Sequence, residues 1–284
     1  MTFDAEMDPA VFAQMFQVAF DPEIVRCMNA IRQLADYDIA QDRAASFLRF
    51  HSFITSPQPR YITDWRADPK LERKWYHSHV NGVLGDVRGA LAAVHYHASR
   101  LGDIEAKVST ILSNSSFRER LGNSVMGLGG TRKMDFEYHA FVLAYRRCLD
   151  YLAGALASYF KTEASSFRTF PKSIANSKMP DVAKSLCEAH ARHAQALAFV
   201  LAEGRKSVRH RIAHYDFVSA GCVNLTPQGF FLAGGGEELA LPGHPRGPTL
   251  AAALAERLDR LHVCVDDMID SFVDAARTRE AALS

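Results

Sequence analysis

The chain has 284 residues, 48% hydrophobic and 23% charged, with 33 Lys and Arg against 32 Asp and Glu. This length and composition allow one large domain or two modest ones with a real core, and a net charge of +1 leaves no global field toward nucleic acid or a membrane surface. Five dispersed cysteines (Cys27, Cys148, Cys187, Cys222, Cys264), with no CxxC, exclude a disulfide scaffold and a cysteine zinc site.

The N-terminus, MTFDAEMDPAVF, is acidic and lacks the basic region of a signal peptide, and no apolar run nears the ~18 residues of a bilayer span. A soluble, cytoplasmic protein with reduced thiols and no membrane partner is expected. Short apolar helical patterns occupy 9–20 and 22–36, before a proline-rich loop, SPQPRY (56–61). Basic and aromatic residues then interleave at Arg60-Tyr61, Trp65-Arg66 and Arg73-Lys74-Trp75-Tyr76. Such pairs suit base stacking on RNA or aromatic anchors between helices. From Val80 the positions Val80, Leu84, Val87, Leu91, Val94, Ala98 and Leu101 alternate steps of four and three, which predicts one helix with a narrow buried stripe.

MGLGGTRK (126–133) puts three glycines in four residues between two helical patterns. It lacks the GK[ST] of a phosphate loop and comes after no predicted strand, so it reads as a linker. It sets the expected division: residues 1–128, an N-terminal helical region without an assigned role, and 129–284, a helical-bundle domain. In the second part a helix is predicted over 135–160, with the stripe Phe141, Tyr145, Cys148, Leu152, Leu156 and Tyr159, and Asp135 as N-cap or first-turn acid. After a polar loop (161–180), a helix over 181–203 carries Val182, Leu186, His190, His193, Leu197 and Leu201. Beyond residue 216 the period changes. FVSAGCVNL, TPQG and FFLAGGG predict a β-hairpin, with a third short strand at ELAL (238–241). A last helix starts at Thr249, with Leu250, Leu254, Leu258, Leu261, Val265, Met268 and Phe272 on its stripe. The expected fold class is mainly α, a helical bundle with a small β-hairpin insertion before the last helix.

Ahead of that hairpin stands VRHRIAHYDFV (208–218). Arg205, Lys206, Arg209 and Arg211 crowd into seven residues beside His210 and His214. Arginine offers a planar fork to phosphate oxygens, and histidine moves protons near neutral pH. Together these suit metal-free cleavage of RNA, with the 2′-hydroxyl as internal nucleophile. The plain alternative is a solvated basic helix face. An ideal helix turns about 100° per residue, so Arg209 and His214 diverge by roughly 140° in an unbroken helix, whereas His210 and His214 share a face. Catalysis by the pair therefore calls for a helix end near Ala213-His214, a curled arginine, or side chains from two chains.

Arg209-His210-Arg211-Ile212-Ala213-His214 resembles the R-x4–6-H signature of HEPN domains, and FEYHAFVLAYRRCLDYLA (136–153) resembles their first long helix. The resemblance covers roughly residues 132–284. It implies a homodimer with the two motifs meeting at the interface, and a metal-independent ribonuclease of the kind found in toxin–antitoxin and phage-defence systems. Carried over, Arg209 and His214 are the catalytic pair, His210 shapes the site, and Glu137 is the acidic helper. Arg211, Arg205, Lys206, Tyr215 and Asp216 are expected to contribute to binding. Tyr215 comes directly after the histidine, whereas some toxin members place a modifiable tyrosine two positions on; here that position is Asp216, which suits orienting His214 or capping a helix. RNA is the expected partner, beside a possible antitoxin or regulatory protein. A non-catalytic HEPN-like module that binds RNA, a nucleotide or a protein stays open as the alternative.

Twelve histidines invite a third reading, a helical metal- or haem-dependent enzyme. No HExxH occurs, and His77/His79 and His95/His97 are spaced two apart. His190 and His193 fall in an apolar stripe, which favours buried, hydrogen-bonded or interface histidines. No metal and no cofactor are expected.

Overall fold

A computed structural model describes residues 21–35, 37–114, 126–128, 131–203, 207–215, 217–218, 220, 222–226, 229–233 and 250–283. The chain divides into two compact units, Met1–Asp38 and Ile39–Ser284. In the first, helix α1 spans Pro22–Ala35. Asp21 starts it: its Oδ1 accepts the amides of Glu23 and Ile24 at 2.9 and 3.1 Å, and Pro22 stands where no amide is needed.

The second unit is mainly helical. Helices α2 (Ala45–Thr55) and α3 (Arg60–Ala67) flank the proline loop. Helical turns then succeed one another without a break. They are α-helical over Pro69–Leu71 and His77–Asn81, π-helical over Glu72–Tyr76 and Gly82–Val87, and regular again in α4, Arg88–Ser113. After these come α5 (Arg132–Tyr159), α6 (Phe170–Ile174), α7 (Pro180–Ala194), α8 (Ala198–Leu201), α9 (Val208–His214) and α10 (Leu250–Leu283). Among the described residues no helix is long and apolar enough to cross a membrane.

One core runs through this unit from Ile39 to Ala276. The expected boundary at 128/129 therefore does not separate two cores. Helix α4, before the glycine-rich stretch, packs along α5, after it. The physical reason is that the apolar faces of α4 and α5 cover one another. On α5 the predicted stripe is buried as spaced, from Phe141 to Tyr159. Helix α10 closes the bundle over α2, α4 and α7, with Leu261, Val265, Met268 and Phe272 inward.

The π segment Gly82–Val87 precedes α4, and Val80, Val87, Leu91 and Val94 are buried as spaced. Val83 is fully buried there, whereas Leu84, expected inward, is only partly covered. Gly82 sits where a Cβ would lie 2.7 Å from the Ala155 Cβ, so glycine permits this close approach to α5. The predicted 181–203 helix is likewise interrupted: α7 ends at Ala194 and α8 begins at Ala198.

Three short strands form one antiparallel sheet in the order β1-β2-β3. Strands β2 (Cys222–Thr226) and β3 (Gly229–Ala233) pair with Cys222 opposite Ala233. Strand β1 (Met126–Leu128) joins β2 with Met126 opposite Leu225. The third strand thus comes from the stretch that reads as a linker. The strand expected at 238–241 and the helix expected at 9–20 lie outside the described residues.

Candidate functional site

The motif forms helix α9, a single unbroken helix from Val208 to His214. Ser207 is its N-cap: the hydroxyl accepts the His210 amide at 3.3 Å and donates to the Val200 carbonyl at 3.4 Å. That same carbonyl accepts Arg146 Nη1 of α5 at 3.1 Å, so the start of the motif is tied to the bundle core. The helix stops at Tyr215, whose amide donates to the Arg211 carbonyl at 2.8 Å.

Burial sets the rotation of α9. Val208 is fully buried and Ile212, four residues on, packs against the core. With about 100° per residue, His210 and His214 then point to the opposite side, and Arg209 and Arg211 lie on the two flanks. The rings of His210 and His214 are 4.8 Å apart, and the Tyr215 ring lies 5.3 Å from His210. His214 and Tyr215 are exposed, and Arg209, His210 and Arg211 are half-buried. Among the described residues Arg209, His210 and His214 form no ion pair. The helix ends only after His214, so Arg209 and His214 stand about 140° apart on one helix. Within one chain, the two histidines are brought together and the Arg–His pair is not. Arg205, Lys206 and Asp216 lie outside the described residues.

Glu137 does not take the place expected of it. Its carboxylate is held by His97 Nδ1 at 2.7 Å and Arg100 Nε at 3.7 Å, both on α4. The acid on the motif side of α5 is Asp135, two residues away and therefore about 200° around the helix. Asp135 is buried, and its Oδ1 accepts the Ala220 amide at 2.7 Å. His139, one turn on, donates Nε2–H to the Val218 carbonyl at 2.6 Å. Together they fasten the chain that leaves α9 to the first turns of α5. Of the two roles expected of Asp135 at the start of α5, it takes the second: Thr131 is the N-cap residue and Asp135 the acid of the first turn.

Several other histidines are engaged in packing or ion pairs. His79 is fully buried: Nδ1–H donates to the Ala155 carbonyl at 2.8 Å, and Nε2 accepts from the Tyr61 hydroxyl at 3.3 Å. Burial pushes its pKa down to about 4. Tyr61 and Trp65, candidates for base stacking, are edge-to-face with each other and with this ring, inside the core. His190 donates to the Phe167 carbonyl at 2.9 Å, and His193 pairs with Asp267 at 2.7 Å. Arg192 also grips Asp267, at 2.7 and 2.9 Å, and holds its carboxyl below the usual range. His95 and His262 meet through their Nε2 atoms. Among the described residues no group of three or more His, Cys, Asp or Glu is placed to hold a metal.

The comparisons add no relative. No family model, curated protein or solved structure matches this chain.

Proposed function

We propose that this protein is a metal-independent endoribonuclease of the HEPN type, acting in the cytoplasm in a toxin–antitoxin or phage-defence context. The observation that carries the reading is the outward-facing His210–His214 pair on α9, with an arginine on either flank. In this reading His214 takes the proton of the RNA 2′-hydroxyl and the 2′-oxygen attacks phosphorus. The bond to the 5′-oxygen breaks, the leaving oxygen takes a proton from His210, and a 2′,3′-cyclic phosphate forms. Arg209 clamps the phosphate and offsets its growing charge, assisted by Arg211. The divergence of Arg209 and His214 on one helix is met by a homodimer, in which the arginine of one chain faces the histidine of its partner across the interface.

That same divergence favours a second reading, a non-catalytic HEPN-like module that binds RNA, a nucleotide or a protein through the basic helix. Incubating the purified protein with varied RNAs in EDTA, beside His214→Ala, separates the two. Cleavage that the substitution abolishes while fold and oligomer stay intact supports the nuclease. Binding without cleavage by either protein supports the module. Cleavage lost only when EDTA is added sinks the metal-free mechanism.

A further inference from the structure

Two aromatic rings, one on α5 and one just beyond α9, stand exposed on the surface. Phe136 on α5 is 57% exposed and Phe217, just beyond α9, is 61% exposed. Their ring centroids lie 6.3 Å apart at an interplanar angle of 89°, and the His139 ring centroid is 4.8 Å from that of Phe217. An exposed phenylalanine on a loose loop would mean little. Here Val218 and Ala220, just beyond the ring, are buried, and their carbonyl and amide are bound by His139 and Asp135. The ring therefore stands beside anchored backbone, which lowers the freedom to be lost when something stacks on it.

Exposed cations stand near the pair, and the acids beside it in the chain include the buried Asp135 and, in sequence, Asp216. Arg132 and Lys133 are exposed and stand one turn before Phe136, on the same side of α5. Cations at a helix N-terminus oppose the helix dipole, so their placement does not stabilise α5 and instead adds to its positive end. In the chain His214 stands three residues before Phe217 and Arg209 eight. Aromatic faces between cations form the arrangement that takes unpaired bases while the phosphates track the positive charge.

We infer that Phe217 and Phe136 form a stacking site for an unpaired base of single-stranded RNA, with Arg132 and Lys133 on its phosphates. The inference rests on the nuclease reading for its ligand class and names where the strand next to the cleaved bond is held. A second copy of this chain is the competing occupant.

The test uses the full chain and a short single-stranded RNA with 2′-O-methyl sugars, which cannot be cleaved, carrying a 2-aminopurine base. Stacking should quench the base. Phe217→Ala and Phe136→Ala should each weaken binding about tenfold, and Phe217→Tyr, which keeps the ring, should restore it. The duplex of the same sequence should bind more weakly than the single strand. Unchanged affinity and quenching in a folded Phe217→Ala protein overturn the stacking site. So does a Phe217→Ala protein that loses self-association while binding RNA as before, since the patch is then a contact between copies. Unmodified RNA, tested with the same proteins and His214→Ala, keeps the two readings apart. Cleavage that needs His214 beside unaltered binding by Phe217→Ala removes only the stacking site. Weakened binding by Phe217→Ala, with no cleavage by any protein, removes only the nuclease.

Discussion

The Asp135 carboxylate accepts the Ala220 amide at 2.7 Å across 85 residues of chain, and this bond joins the first turn of α5 to the segment leaving the motif. A buried, charge-assisted hydrogen bond of this kind is worth about 2 kcal/mol. Asp135→Ala should lower the unfolding free energy by about that amount in urea denaturation. Asp135→Asn should lose less, because its amide oxygen still accepts. If the bond also sets the direction in which α9 is held, Asp135→Ala will reduce RNA cleavage beyond its effect on the folded fraction.

The two motif histidines should divide the acid and base roles. Proton transfer by a positioned side chain contributes about a hundredfold or more, so His210→Ala and His214→Ala should each cost cleavage by at least that factor in single-turnover assays. The wild-type rate should rise and fall with pH, and each substitution should leave one limb only. Arg209→Lys keeps the charge and loses the fork; its cleavage should fall at least about tenfold with little change in unfolding free energy. A flat pH profile in the wild type would argue against two histidines in the chemistry.

Two glycines of one helical run should respond with opposite sign. A Cβ at Gly82 would meet the Ala155 Cβ at 2.7 Å, whereas one at Gly89 meets nothing within 4 Å. Gly82→Ala should destabilise by about 1–3 kcal/mol through overpacking. Gly89→Ala lies inside regular α4 and should stabilise by roughly 0.5–1 kcal/mol, since glycine loses more backbone freedom there than alanine. Thermal denaturation of both proteins checks the pair; the same sign for both would contradict the packing of the π segment on α5.

Acid should weaken the fold through its buried imidazoles. Burial holds His79 at about 4, and burial with His95 and Arg43 nearby holds His262 at about 4. Both native values lie below the ordinary value near 6.5, so the unfolded chain takes up protons first. Stability is therefore complete above about 6.5 and is lost as pH falls toward about 4, with His79 alone contributing on the order of 3 kcal/mol. Urea midpoints measured from about pH 7 to about pH 4 should show this decline, and His262→Gln should make it shallower.

Much of the helical frame is legible from spacing. The stripe of α5, the inward face of α10 and the ends of the long helices come from a period near 3.6 and from the need to cover one apolar side. The outward pairing of His210 and His214 is also legible, because positions four apart share a face wherever a short helix forms. Spacing misled where the backbone departs from the regular turn. The π segment at Gly82–Val87 exchanges Leu84 for Val83, and the break after Ala194 divides one predicted helix into two. No local signal in residues 126–128 distinguishes a strand from a linker, because pairing with residues 223–225 is what makes it a strand.

For this protein the sequence by itself determined a mainly helical chain and the basic, histidine-bearing face of one short helix, since both depend on neighbours within a few residues. Only the tertiary structure decided that the core crosses the glycine-rich stretch, that Asp135 rather than Glu137 meets the chain beyond the motif, and that Phe136 and Phe217 stand together. Those facts depend on the packing of α4 against α5 and on bonds spanning some eighty residues, such as Asp135 to Ala220, which no local period encodes.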